Sequence, residues 1–199
     1  KLKSKLAGDE QALLEKSTQT IITQVNAMKK MVNAFSQYAR APKLNLKKID
    51  ITALSEEITF LYSDYIRGVE VILQRPRKTL FVNGDEIRLR QLLHNLIKNA
   101  VEACQEDKEN LDGKVCVELH EKDAESLVLT VSDNGSGIDE TLINRMFEPY
   151  VSTKEKGTGL GLSVVKKIVE EHSGKIAIYS GRERVGTQVE VVLPIYQEI

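Results

Sequence analysis

No stretch of the 199 residues approaches the roughly 20 consecutive apolar positions of a membrane span, and the start carries no signal-peptide pattern. Neither sign of charge is in excess. The 28 Lys and Arg stand against 29 Asp and Glu, so no global field favours nucleic acid or an acidic membrane, and we expect neither as a partner. There are only two cysteines, Cys104 and Cys116, and their spacing fits neither a metal cluster nor a redox motif. Reduced thiols in a cytoplasmic compartment are expected. A Walker phosphate loop, a dinucleotide fingerprint and any internal repeat are also missing. What is present, 41% hydrophobic and 29% charged residues, is the composition of a soluble globular chain rather than a disordered one. The length allows one full domain with an appendage, or two small domains. The chain starts at Lys1, not Met, and we expect it to be a piece of something longer.

From Gln11 to Ala41 the sequence is almost free of helix breakers. Leu14, Thr18, Ile21, Val25, Met28, Val32, Phe35 and Ala39 follow at alternating steps of four and three, the seam of a helix packed in a bundle. Ile22, Met31 and Tyr38 widen that stripe, and Pro42 ends it. Such a helix needs a partner. Only Lys1 to Leu6, before an Ala7-Gly8-Asp9 loop, hints at one, which reads as a hairpin whose first arm has been cut short. Past Pro42 the pattern is mixed. A strand is expected at 47–51, a helix over 52–65, a hairpin from 69–75 and 78–84, and a long helix over 85–106 with Ile87, Leu92, Leu96 and Val101 in the core. Half-buried antiparallel strands follow at 114–122 and 126–134, then a short helix over 141–146, a longer one ending near Glu171, and strands at 175–181 and 187–195. Strands on one side and helices on the other make a two-layer sandwich.

Four stretches carry possible chemistry. In HNLIKNAVEA (94–103), Asn95 and Asn99 are four apart and share a helix face. They are either a polar helix edge or neutral oxygen donors for a hard cation such as Mg²⁺ that keeps most of its waters. In DNGSGI (133–138), Asp133 ends a strand and Gly135 and Gly137 follow. This is either plain turn chemistry, or a carboxylate that accepts from an exocyclic amine and rejects a carbonyl, with glycines leaving space for a flat ring. In FEPYVSTKEKGTGLGLSVVKK (147–167), Gly157, Gly159 and Gly161 alternate before a helix start, behind Lys154 and Lys156. That is a flexible loop, or a backbone that meets phosphate oxygens at the positive end of a helix. Gly186-Thr187 opens the last strand and means nothing by itself.

The order and spacing of these motifs are specific where each one is not. From about Lys47 to the C-terminus the chain resembles the catalytic ATP-binding domain of bacterial sensor histidine kinases, and the wording of 147–174 is similar to the nitrogen-regulation, NtrY-type members. The resemblance implies an α+β two-layer sandwich of the Bergerat (GHKL) type over 45–199, after a truncated dimerisation and phosphotransfer hairpin over 1–44. It implies ATP and Mg²⁺ as cofactors. Asn99 would coordinate the Mg²⁺ that bridges the phosphates, with Asn95 beside it. Asp133 would bind the adenine amino group, helped by Thr187, while Gly135 and Gly137 make room for the base and Ile138 packs against it. Phe147 to Lys156, including Tyr150 and Lys154, would form a mobile lid with Phe147 at its base. Gly157, Thr158, Gly159, Leu160, Gly161 and Leu162 would wrap the phosphates. The implied partners are a response-regulator receiver domain and, in a full-length parent that is an inner-membrane sensor, a second copy. This fragment itself would be cytoplasmic and touch no membrane.

The chain departs from that family in one respect. Such kinases carry a phosphoacceptor histidine in a box like His-Glu-x-x-Asn-Pro, and His94, His120 and His172 do not fit it. We expect these three to be structural or solvent-facing. A zinc site from His94 and Cys104 lacks ligand spacing. The chain is therefore expected to hold no catalytic residue, to bind ATP without phosphorylating itself, and to lack phosphatase activity. The same fold serves gyrase-like ATPases and protein serine kinases, where the position of Asn95 is typically a Glu acting as general base. An amide cannot take that proton, so little hydrolysis is expected. A non-catalytic, nucleotide-gated interaction module is the third reading. Strong ATP turnover would favour the ATPase, and absence of nucleotide binding the module.

Overall fold

Thirty-two residues without a proline, Gly8–Ala39, form a single helix, α1. The computed structural model describes residues 8–39, 44–63, 68–107, 112–152, 154, 158–180 and 186–198, with the backbone alone at 8–9, 26–27, 30–31, 33–39 and 63. Gly8 and Asp9 belong to the helix rather than to a loop, and the acidic Glu10 suits its positive end. Thr18, Thr20 and Thr23 each return a hydroxyl to the carbonyl four residues back, at 2.7–2.8 Å, which lets polar β-branched residues sit inside the helix. Along the seam, Leu14, Ile21, Val25, Met28 and Val32 are exposed. The first arm expected at Lys1 to Leu6, and the side chains of Met31, Phe35, Tyr38 and Ala39, lie outside the described residues. The chain divides into two compact units between Ala41 and Pro42.

The second unit begins with β1 (Lys47–Asp50) and α2 (Ile51–Ser63), where Asp50 accepts the Ala53 N–H at 2.8 Å. Ile51, Leu54 and Ile58 recur at helical spacing and are buried. Ser55 and Thr59 are buried on the same helix, and neither hydroxyl has a hydrogen-bond partner among the described residues. Thr59→Val, which keeps the shape and removes the unpaired hydroxyl, should therefore raise stability by about 1 kcal/mol in chemical denaturation. An unchanged or lower midpoint would contradict that account.

Next come β2 (Val69–Gln74), β3 (Phe81–Gly84), α3 (Glu86–Glu106), β4 (Gly113–Glu121) and β5 (Ser126–Asp133), followed by α4 (Glu140–Ile143), α5 (Gly161–Glu171), β6 (Lys175–Ser180) and β7 (Thr187–Pro194). The five-stranded sheet has the order β2-β4-β5-β7-β6, with β2 parallel to β4 and the other pairs antiparallel. Val115, Val117 and Leu119 of β4, Leu129 and Val131 of β5, and Val189 and Val191 of β7 line one face in register, and all are buried. α2, α3 and α5 pack on the sheet. The result is an α+β two-layer sandwich. No helix among the described residues is long and apolar enough to cross a membrane.

Three further expectations need correction. The segments 69–75 and 78–84 do not form a hairpin: β3 pairs antiparallel with β1 in a separate two-stranded sheet. The backbone at Leu80 explains this. Its N–H goes to Thr52 Oγ1 at 3.0 Å and its carbonyl takes the Ile51 N–H at 3.1 Å, so the chain is drawn to the start of α2 and away from β2. Ile87 is 78% exposed rather than in the core. It sits two residues before Leu89, about 200° around the helix from the stripe that runs through Leu89, Leu92, Leu93 and Leu96. Finally β5 does not alternate, because every residue from Leu127 to Val131 is buried; it is the central strand and is flanked on both edges.

Candidate functional site

The last residue of the central strand is Asp133, on the same face as Leu129 and Val131. Its Oδ1 accepts the N–H of Gly135 at 3.0 Å and that of Thr187, at the start of β7, at 3.2 Å. Burial pushes its pKa up to about 6, against the opposing pull of those two backbone donors and the Lys154 ammonium. Asn134 takes the turn role, accepting the Lys114 N–H at 2.6 Å and donating to the Asp112 carbonyl at 2.9 Å. Gly135 packs closely against the backbone of α3. A Cβ there would lie 2.5 Å from the carbonyl carbon of Ala103 in α3, so the room gained by having no side chain is filled by helix backbone.

Ser180, at the end of β6, ties this corner together. Its hydroxyl accepts the Ile138 N–H at 2.8 Å, donates to the Gly186 carbonyl at 2.9 Å and lies 3.5 Å from Thr187 Oγ1. Thus Gly137-Ile138 and Gly186-Thr187 are held by one side chain. Nothing in the sequence marks that serine, because its role depends on two segments that are distant along the chain.

Asn95 and Asn99 sit one turn apart on α3, both half-buried. α5 starts beside them: a methyl on Gly161 would come 3.6 Å from Asn99 Nδ2. Leu160 holds the N-cap position, buried and without a capping side-chain hydrogen bond. The first-turn N–H groups therefore have no side-chain acceptor at their cap, as an anion site requires. Thr158, Gly159, Gly161 and Leu162 are half-buried around it. Lys154 forms an ion pair with Glu102, three residues beyond Asn99 on α3, and its own N–H donates to Ser152 Oγ at 3.1 Å. Glu102 escaped the sequence reading, although its i+3 spacing from Asn99 was a usable signal. Phe147 is half-buried with Lys166 Nζ 5.8 Å over its ring. Tyr150 is exposed, has a φ of 68°, and donates its N–H to the Gly159 carbonyl at 2.9 Å. Lys156 and Gly157 lie outside the described residues.

The three histidines are dispersed. His94 packs edge-on against Tyr62, with ring centroids 5.6 Å apart, and burial followed by the neighbouring Lys98 lowers its pKa. His120 is exposed on β4, and His172 is buried at the end of α5. Ten residues of helix, about 15 Å, separate His94 from Cys104, which removes the zinc alternative.

A family model described as histidine kinase-, DNA gyrase B- and HSP90-like ATPase matches residues 84–197. Nitrogen regulation protein NtrY of Azorhizobium caulinodans is 33% identical over 189 residues, which is 92% of this chain and 24% of that protein. Sporulation kinase A of Bacillus subtilis is 38% identical over 164 residues, 81% of this chain and 24% of that protein. The chain thus spans about a quarter of the length of each of these relatives. Among solved structures, histidine kinase ThkA in complex with the response regulator TrrA is similar with a TM-score of 0.71 and 26% identity, over 91% of this chain and 51% of that one.

Proposed function

The chain belongs to the histidine kinase-, DNA gyrase B- and HSP90-like ATPase family, and we propose that within it this chain is the ATP-binding core of a sensor histidine kinase. In this reading the adenine amino group donates to Asp133 Oδ2, since Oδ1 already takes two backbone donors. Thr187 and Ile138 flank the base, with Gly137 beside them. The N-terminal turn of α5 and Thr158 to Leu162 meet the phosphates, and Lys154, Lys156, Gly157, Phe147 and Tyr150 belong to the covering segment. One observation carries the reading. A carboxylate fixed by backbone N–H groups ends the central strand, on the sheet face covered by α3 and by α5, whose uncapped N-terminus abuts Asn99.

A bound Mg²⁺ would neutralise charge on the transferred phosphate. Asn99, with Asn95 one turn away, offers it an amide oxygen. No group of three His, Cys, Asp or Glu stands together among the described residues, so phosphate oxygens and water would complete the shell. Asn95 also separates the kinase from the ATPase reading, because an amide cannot deprotonate a water. No histidine occurs in α1, and none of the three present lies beside the phosphate-binding turn in an exposed, unengaged position. We therefore assign the acceptor histidine to a residue outside this chain, and predict neither autophosphorylation nor phosphatase activity for the chain alone.

An aspartate of a response-regulator receiver is the proposed final acceptor, supported by the ThkA complex with its regulator. The exposed stripe of α1 supports pairing with a second copy in the full-length protein. The finer assignment, to the nitrogen-regulation NtrY type and hence to an inner-membrane parent with this part in the cytoplasm, rests on the 33% identity with NtrY. Phosphotransfer profiled against nitrogen and sporulation regulators separates it from the sporulation kinases.

The kinase reading is tested by incubating the chain with radiolabelled ATP, with and without a helical bundle bearing a phosphoacceptor histidine. Label should appear on that histidine and not on this chain. Steady release of inorganic phosphate with no labelled histidine would transfer the chain to the ATPases. A second expectation concerns Ser180→Ala. ADP and an ATP analogue should weaken together by about 5- to 10-fold, about 1 kcal/mol, because the adenine corner loosens while the phosphate turn is untouched. Calorimetric titration decides it, and unchanged affinity for both would contradict the assigned role.

A further inference from the structure

The two helices that would hold metal and phosphate, α3 and α5, run antiparallel and are joined at both ends. Asn99 and Gly161 meet at one end. At the other, Arg88 and Glu171 form a nearly buried ion pair. Nε and Nη2 both donate to Glu171 Oε2, at 3.1 and 2.7 Å, and Nη1 donates to Gln91 Oε1 at 3.0 Å. Beside them the buried ring of His172 is engaged on both nitrogens. Nε2 accepts the Asp85 N–H at 3.0 Å and Nδ1 donates to the Ile168 carbonyl at 2.7 Å, which fixes the neutral Nδ1–H tautomer. Asp85 is itself the N-cap of α3, accepting from the N–H groups of Ile87 and Arg88. The start of α3 is thus fastened to the end of α5 by directional bonds.

Between these ends the two helices bury aliphatic residues. Such contacts set a separation but define axial position weakly; a charge-assisted pair and a doubly bonded ring define it tightly. The lengths match. Arg88 to Asn99 and Gly161 to Glu171 span about 15–17 Å of helix each, so fixing one end fixes the other. We propose that Arg88, Glu171 and His172 are positioning residues for the metal–phosphate half of the site, setting the register of α5 on α3 so that its N-terminal turn stays against Asn99. The inference rests on the ATP-site reading above and adds to it the part that governs phosphate geometry. The adenine half is anchored separately, through Asp133, Ser180 and Thr187 on the strands.

The test compares the full chain with Glu171→Gln, which keeps an acceptor for the buried guanidinium, and with His172→Gln. Each is titrated with adenosine and with AMPPNP plus Mg²⁺, and each is checked for cooperative unfolding. Adenosine affinity should stay within about two-fold of the original, since the strand corner is remote from the change. The Mg²⁺-dependent gain of AMPPNP over adenosine should fall by about 10-fold or more, as small misplacements of a phosphate site do. Folded variants that keep the full gain, or that lose adenosine and AMPPNP in parallel, overturn the inference and leave the ATP site standing. An original chain with no AMPPNP gain at all overturns both.

Discussion

Asp133→Asn should weaken adenine-nucleotide binding by about 100-fold and at the same time make the folded chain more stable at neutral pH. The two effects have the same origin. Asn keeps an oxygen for the Gly135 and Thr187 N–H groups, so the turn survives. The outward atom becomes an N–H donor facing the donor of the base. Losing a charge-assisted bond and gaining a donor–donor clash costs about 3 kcal/mol, or about 100-fold in affinity. Stability moves the other way because the carboxylate is held in an unfavourable place, with its pKa raised from 3.8 to about 6 by burial. A carboxyl whose pKa is higher folded than unfolded binds its proton more tightly in the folded state. Its contribution is therefore most favourable below pH 4, and is lost as pH rises to about 6. Allowing for its partial exposure, the loss is about 1–2 kcal/mol at pH 7. The mutant lacks this group, so the difference in unfolding free energy between the two proteins should open between pH 4 and 6 and then stay level. Denaturation at several pH values checks this; a mutant less stable at pH 7 would contradict the buried-carboxylate account.

Gly186→Ala should destabilise the fold by at least about 3 kcal/mol and leave no nucleotide binding at 37 °C. Gly186 has a φ of +81°, and a Cβ there would lie 1.9 Å from the backbone carbonyl oxygen of Asp133. That oxygen belongs to the central strand, so β7 would have to withdraw, taking the Thr187 N–H and the Ser180 contact with it. Gly68 provides the control. Its φ is +85°, but nothing lies within 4 Å of its added Cβ. Gly68→Ala therefore isolates backbone strain, about 1 kcal/mol. Thermal melts of the two variants separate steric overlap from strain. Equal losses would mean that the approach of β7 to Asp133 is looser than described.

Elements whose signal is local were readable from the sequence, and those set by distant partners were not. The periodic run of α3 and the alternation of β4 announce themselves within about a dozen residues, whereas the stretches around Asn99, Asp133 and Thr187 are ambiguous one by one and gain meaning only from their order along the chain. The pairing of β3 depends on Leu80 meeting Thr52 and Ile51, a contact with no trace in the 69–84 stretch. Gly135 shows the same limit more finely. A glycine after a strand-end aspartate reads as space for a ring, but its close approach to the α3 backbone at Ala103 is a property of the packed fold that the sequence does not show. Ser180 has one hydroxyl serving two loops, and such a hub becomes visible only when both loops are in place.

The measurement that bears most directly on the central claim is calorimetric titration of the chain with AMPPNP and with its guanine counterpart, each in Mg²⁺ and in EDTA. The account predicts about micromolar binding, about −8 kcal/mol, for the adenine compound alone, weakened when Mg²⁺ is removed. A folded chain that binds neither compound, or binds both equally, would contradict the assignment of Asp133 to the base and of Asn99 with the α5 turn to the metal and phosphates.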